Sequence, residues 1–155
     1  MRKFYKNKKQ GFTLIEILVV IGIIGILAAV VLVAVNPGRQ FRQARDSQRL
    51  ANVNTLLNAI GQNIADHQGF IMCGGSPFIL TAIELPIASG IDAFDAAECL
   101  TPDYLPKVPI DPNPDRSHYT TDDDYITGYT IKMDGDGRIT VAAQGEIQPV
   151  IEVTR

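Results

Sequence analysis

The sequence predicts an α+β protein in which a long N-terminal helix, kinked near its middle, packs its second half on a small C-terminal antiparallel sheet. Three observations favour this fold. An apolar run occupies residues 12–35, an amphipathic helical pattern follows over residues 36–69, and short alternating segments fill the end of the chain. A length of 155 residues suits about one globular domain beside such a helix.

The charges divide the chain into segments of opposite sign. Residues 1–11 carry five basic side chains and no acidic one, whereas from residue 50 onward there are five basic and fifteen acidic side chains. The acidic C-terminal part argues against a nucleic-acid partner, which requires a basic surface. Hydrophobic residues make up 46% and charged residues 20% of the chain, so an entirely disordered protein is excluded.

The apolar run is long enough to span a membrane. It contains one charge, Glu16. As a helix it extends over about 36 Å, against about 30 Å for the hydrocarbon core of a bilayer. Because basic side chains precede the run and acidic ones dominate after it, we expect a single-pass protein with a cytoplasmic N-terminus. The run is too long for an ordinary secretory signal, whose apolar core has about 7–15 residues.

A short basic segment joins the apolar run through the sequence Lys8-Lys9-Gln10-Gly11-Phe12-Thr13-Leu14-Ile15-Glu16. This sequence resembles the processing site of type IV prepilins and type II secretion pseudopilins. The resemblance implies that a prepilin peptidase cuts between Gly11 and Phe12 and then methylates the new amine of Phe12. It also implies that residues 1–11 are a leader peptide and that Glu16 becomes the fifth residue of the mature chain.

Glu16 is the informative exception in the predicted membrane helix, because a carboxylate there costs about 2.5–3.5 kcal/mol to insert. A glutamate that reaches back to interfacial water is one alternative. In a filament of axially staggered subunits, Glu16 can instead neutralise the amine that cleavage creates at Phe12 of a neighbour. Since a buried ion pair gives specificity more reliably than stability, we predict that Glu16 sets the register of assembly.

The resemblance implies a structural protein and not an enzyme. Its partners would be other copies of the chain in a helical filament, the prepilin peptidase and N-methyltransferase, an inner-membrane assembly platform, and membrane lipid before assembly. It implies that residues 70–155 form a periplasmic or extracellular head and that the filament lies at the cell surface or in the periplasm.

Two functions stay open, a subunit of a type IV pilus-like filament and a major pseudopilin that acts as the periplasmic piston of a type II secretion system. A membrane-anchored enzyme or sensor is a third alternative. Residues 70–155 contain no recognisable catalytic or ligand motif that favours it.

The second half of the long helix begins after Asn36-Pro37-Gly38, where Pro37 predicts the kink. An apolar stripe follows at helical spacing: Leu50, Val53, Leu57, Ile60 and Ile64. Four arginines also share a helical face: Arg39, Arg42, Arg45 and Arg49. Solvent, lipid headgroups and acidic surfaces of neighbouring subunits are the alternatives for this face, and we favour pairing between subunits.

The head combines a proline-rich region with alternating segments. Residues 70–118 contain seven prolines, which predicts a long structured loop, with a short helix from Asp92 to Cys99 capped by Asp92. Within it, residues 104–112 resemble the loop that precedes the sheet in major pseudopilins. Strands are predicted at 129–133 and 138–141 around a turn, and a third around 147–153, where Pro149 favours an edge or a bulge.

Cysteine and aspartate provide the remaining candidate sites. Cys73 and Cys99 lie in the loop-rich part of a head that faces an oxidising compartment, so we expect a disulfide between them, with two free thiols as the alternative. No cofactor is implied apart from Ca²⁺, which some major pseudopilins bind in C-terminal loops. The carboxylates near turns are Asp122, Asp124, Asp134 and Asp136. Because Arg138 and Gly145 occupy positions that an EF-hand needs for ligands, a plain acidic hairpin is favoured.

Overall fold

A computed structural model describes residues 11–155, so most of the predicted leader, residues 1–11, lies outside the described part of the chain. The helices are α1 (Leu14–Val35), α2 (Pro37–Asp66) and α3 (Ala96–Leu100). The strands are β1 (Ile71–Cys73), β2 (Ser76–Phe78), β3 (Leu85–Ala88), β4 (His118–Thr121), β5 (Asp124–Met133), β6 (Ile139–Gln144) and β7 (Val150–Thr154). The chain divides into two compact units, one that ends at Gln40 and one from Phe41 to Arg155. The α+β fold class is confirmed.

The helix α1 consists almost entirely of apolar residues, and those from Leu14 to Ala34 are exposed. The stretch Leu14–Ala34 has a mean hydropathy of 3.3 and is 0% buried, and within residues 11–155 it is the one helix long and apolar enough to cross a membrane. In lipid, a backbone must satisfy its own hydrogen bonds, which favours a helix for such a sequence.

Asn36 separates the two long helices. It adopts a left-handed conformation with φ 46° and ψ 75°, and α2 begins at the next residue, Pro37. At the first position of a helix the missing N–H of proline has no intrahelical partner to lose. The predicted kink is therefore a break of one residue.

The second half of α2 provides one side of the head's hydrophobic core. The predicted stripe is buried at Val53, Leu57 and Ile60, and Leu56 joins it, whereas Leu50 is 46% exposed. The prediction for Leu50 was wrong because the inward position in that turn belongs to Arg49. Sheet residues in the same core cluster include Tyr129, Ile131, Val141, Ala143 and Ile151.

The C-terminal sheet is antiparallel, with strand order β3-β5-β6-β7 and with β4 paired to β5. The β5–β6 hairpin aligns Tyr129 with Ala143 and Met133 with Ile139, around the predicted turn. The strand β7 begins directly after Pro149 and lies at an edge of the strand order, as predicted.

The proline-rich region contains more regular structure than the sequence predicted. It contributes the hairpin of β1 and β2 and the strand β3, and β4 begins at its last residue, His118. Pro86 is accommodated in β3 because an edge strand need not donate every backbone N–H. The short helix is capped by Asp95, whose Oδ1 accepts N–H bonds from Ala97 and Glu98; the predicted cap, Asp92, has a φ of 62°.

Candidate processing and assembly site

The predicted cleavage site lies in the short segment that precedes α1. Gly11, Phe12 and Thr13 have no regular secondary structure, and the side chain of Phe12 is 85% exposed. Leu14 is the first helical residue. The Gly11–Phe12 peptide bond therefore lies outside the hydrogen bonding of the helix.

Thr13 and Glu16 form a capping box at the start of α1. The backbone N–H and the hydroxyl of Thr13 both donate to Glu16 Oε2, at 2.7 Å each, and the Glu16 N–H donates to Thr13 Oγ1 at 3.3 Å. The sequence signal for this arrangement was Thr-x-x-Glu before an apolar run. The one carboxylate of α1 is therefore hydrogen-bonded within its own chain.

A second concentration of charge lies in the head, around Arg49. This side chain is fully buried, and it forms a two-pronged ion pair with Asp111, from Nε to Oδ2 at 2.7 Å and from Nη2 to Oδ1 at 2.8 Å. Its Nη1 contacts Asp46 Oδ1 at 2.7 Å, and its Nη2 contacts Glu146 Oε1 at 3.0 Å. Three carboxylates thus surround one guanidinium.

The same cluster ties the connection between β6 and β7 to α2. Asp46 accepts N–H bonds from Glu146 and Ile147, at 2.8 Å each. Glu146 also accepts a bond from Arg45 Nε at 2.7 Å. Side chains of α2 therefore bond to the loop backbone, and they also bond to a side chain of the loop.

Asp111 reaches Arg49 because the neighbouring strand leaves room for it. Its N–H donates to the carbonyl of Thr127 at 2.8 Å. At the next residue, Gly128, φ is 80°, and a Cβ would lie 3.0 Å from Asp111 Cβ and 3.1 Å from the Arg116 carbonyl oxygen. A side chain at position 128 would be both strained and crowded against Asp111.

Hydrogen bonding in this cluster outweighs the effect of burial on the acidic groups. The guanidinium of Arg45, with that of Arg49, lowers the pKa of Glu146 to about 2. Burial acts to raise the pKa of Asp46, but N–H donors from the loop and the Arg49 guanidinium together hold that pKa below its usual range. Hydrogen bonding to Asp111 raises the pKa of Arg49. These three groups therefore stay ionised at neutral pH.

The four arginines of the predicted face do not share one role. Arg45 and Arg49 pair with carboxylates of their own chain, so the prediction that they pair between subunits was wrong. Arg39 and Arg42 are exposed and have no ion-pair partner among residues 11–155. One local signal in the sequence could have separated Arg49 from the exposed arginines: Asp46 stands three residues before it, at the spacing of an ion pair within a helix.

Cys73 at the end of β1 and Cys99 in α3 are joined by a disulfide in the structure. Of the proposed calcium ligands, Asp134 and Asp136 contact Arg138 at 2.8 and 3.3 Å, Asp124 contacts His118 at 3.1 Å, and Asp122 accepts a bond from Tyr119. Within residues 11–155, no three His, Cys, Asp or Glu side chains form a group that could hold a metal ion. Calcium binding stays a prediction.

An exposed apolar helix with a capped carboxylate, followed by an α+β head, fits a membrane-anchored protein of pilin-like architecture. Residues 6–32 match the prokaryotic N-terminal methylation motif, the signature of type IV pilins and pseudopilins, so the resemblance seen around Gly11 and Glu16 is confirmed. The motif characterises structural subunits and not enzymes. No curated protein and no solved structure gives a significant match to the chain.

Proposed function

We propose that this chain is a structural subunit of a type IV pilus-like filament that is assembled from the inner membrane. The observation that carries the proposal is the surface of α1, which is apolar and exposed from Leu14 to Ala34. A helix that is apolar on all sides must be buried in lipid or against other protein. In a subunit of this kind, the helix is buried in lipid before assembly and against identical helices after the subunit joins the filament.

Processing by a prepilin peptidase would separate the leader from α1 between Gly11 and Phe12. The methylation motif spans this bond, and the bond lies in an exposed, non-helical segment. Cleavage gives Phe12 a cationic amine, which the same enzyme then methylates. The product carries a positive charge four residues before Glu16, at the start of the helix.

Assembly would give the Glu16 carboxylate a second partner. In the single chain, both Thr13 donors reach Oε2. In the filament, the Glu16 carboxylate of one subunit would also accept the amine at Phe12 of its neighbour. The assembly platform in the inner membrane would bring successive subunits to this position.

A major pseudopilin of a type II secretion system is the second candidate function. It is favoured by the loop at residues 104–112, which resembles that of major pseudopilins and whose Asp111 is fixed by Arg49. The neighbouring genes separate the two candidates: a retraction ATPase indicates a pilus, and an outer-membrane secretin with cargo genes indicates secretion.

The processing step is tested by Gly11→Val. A branched side chain directly before the scissile bond should prevent entry into the peptidase, so the full-length precursor should persist on an immunoblot. Gly22→Val is the matched control, because a Cβ at Gly22 meets no atom within 4 Å and the change leaves the cleavage site intact. Leader removal from Gly11→Val to the extent seen in the unmodified chain would contradict the proposed processing.

A further inference from the structure

We propose that Arg39, Phe41 and Arg42 bind the anionic lipid headgroups of the outer leaflet and hold the waiting subunit at the membrane interface. We call these three residues the interfacial segment. The inference rests on the proposed function in one respect, since it takes α1 to be the membrane helix.

The two cations of the interfacial segment are available for a partner outside the chain. Of the four arginines near the start of α2, Arg45 and Arg49 are engaged by carboxylates of the head. Arg39 and Arg42 are exposed and have no ion pair within the described part of the chain. They lie three residues apart on one helix, so the two guanidiniums share a face.

The interfacial segment follows the membrane span directly. The apolar stretch ends at Ala34, and its 21 residues rise about 32 Å as a helix, which is the thickness of the hydrocarbon core. Counted from Ala34, five residues separate the span from Arg39 and eight separate it from Arg42, and a helix of those lengths rises at most about 8 and 12 Å. The headgroup region itself extends roughly 5–8 Å beyond the hydrocarbon core, and the Debye length at physiological salt is about 8 Å. Both cations therefore lie within reach of the headgroups or of the surface potential of the membrane.

Phe41 favours lipid over an acidic protein surface as the occupant. Its side chain is 67% exposed between the two cations in the sequence. Aromatic side chains beside arginines are typical of segments that insert into the boundary between headgroups and acyl chains. Anionic lipid offers a partner to every side chain of the segment, because its phosphate can bind the guanidiniums and its acyl chains can contact the ring. The same lipid surrounds α1, which ends a few residues earlier.

The chain contains no tryptophan, which gives a direct test. Phe41→Trp would place the only indole in the interfacial segment of the full-length chain, reconstituted in vesicles of phosphatidylcholine with or without about 30% phosphatidylglycerol. Spin-labelled lipids that carry the nitroxide near the headgroup would quench its fluorescence on contact. Phe70→Trp is the matched control, since Phe70 is 64% exposed but lies in the head.

We expect the indole at position 41 to be quenched more strongly in phosphatidylglycerol vesicles, and the indole at position 70 to be indifferent to lipid charge. Adding Arg39→Gln and Arg42→Gln should weaken the lipid-bound state by roughly 30-fold and abolish the difference between the two lipids. Adding Arg138→Gln and Arg155→Gln instead, which removes the same charge elsewhere, should leave both the lipid-bound state and the difference between the lipids unchanged. High salt should weaken the lipid-bound state as the loss of Arg39 and Arg42 does, because it screens the attraction to the headgroups.

Two results would overturn the inference. One is quenching at position 41 that is the same in both lipids or unaffected by the loss of Arg39 and Arg42. The other is burial of the indole that grows with the protein-to-lipid ratio in pure phosphatidylcholine, which would identify a second copy of the chain as the occupant. Neither result depends on filament formation. Failure of this inference would therefore leave the proposed function intact, because that function is tested by leader cleavage and by filament yield.

Discussion

Arg49 contacts carboxylates from three separate parts of the chain, one on its own helix, one before β4 and one between β6 and β7. A buried ion cluster of this kind stabilises a fold little compared with well-packed apolar side chains, because each charge loses its hydration. It does discriminate strongly against arrangements in which one charge is left without a partner. Its main effect is therefore to fix where the two loops meet α2.

Replacing Arg49 with methionine should destabilise the head strongly. The change keeps the volume roughly constant but leaves the buried carboxylate of Asp111 without its ionic partner, which costs about 3–5 kcal/mol. Arg138→Met is the control, because Arg138 pairs with Asp134 at the surface, where a pair contributes about 1 kcal/mol or less. Urea unfolding of the fragment 41–155 measures both, and equal losses would contradict the assigned role of Arg49.

Glu146 should make the stability of the head depend on pH in the acid range. Its pKa of about 2 in the folded chain lies below the ordinary value of 4.5, so on acidification the unfolded chain takes up this proton before the folded chain does. The stabilisation that the ionised Glu146 gives to the folded head is therefore fully present above about pH 5 and is lost as the pH falls towards 2. In Glu146→Gln the unfolding free energy should vary less over this window, whereas Glu152→Gln should retain the full dependence; an identical pH profile for Glu146→Gln would count against the ion cluster.

The contrast between Glu16 and Arg49 shows which residues a sequence can single out. Glu16 stands alone in an apolar run, so its unusual cost is visible without a structure. Arg49 looked like one member of an exposed arginine face, because its partner Asp111 lies 62 residues away and Glu146 lies 97 residues away. Spacing along one helix carries no information about such distant partners.

At the scale of elements, the predictions succeeded where a periodic pattern was long and unbroken. The apolar helix, the helical stripe around Val53 and the β5–β6 hairpin each repeat a simple pattern. The strand β3 was missed because it has four residues, one of them Pro86, and its pairing with β5 is irregular. Short strands of this kind are fixed by their neighbours in the sheet more than by their own residues.

The disulfide between β1 and α3 is a prediction at the same scale. We expect no free thiol on the denatured, non-reduced protein, since Cys73 and Cys99 are its two cysteines. Closing a loop with a sequence separation of 26 should stabilise the head by about 3.5 kcal/mol in the chain-entropy model. Thiol titration decides the first point, and unfolding of the Cys73→Ala, Cys99→Ala double variant decides the second; two titratable thiols would refute the pairing.

At the scale of the whole molecule, the two compact units have opposite requirements. The unit that contains α1 exposes an apolar surface and needs lipid or other copies of itself. The unit from Phe41 to Arg155 has its own hydrophobic core and ion cluster. This division suits a subunit whose head stays folded while its helix moves from the membrane into a filament.

Glu16→Ala tests this account most directly. The change removes a costly charge from the membrane helix, so leader cleavage and insertion should continue. In the filament, however, the amine at Phe12 of a neighbour would then be buried without a partner, at a cost on the order of 3–5 kcal/mol. That corresponds to a factor of several hundred or more at each subunit addition.

The measurement is an immunoblot for leader removal beside a sheared-filament preparation, with Glu152→Ala as a control that removes one carboxylate from the exposed face of β7. We expect Glu16→Ala to be cleaved and inserted into the membrane but to yield almost no filaments, and Glu152→Ala to yield normal amounts. Filaments from Glu16→Ala in the amount given by the unmodified chain would contradict the role of Glu16 in assembly.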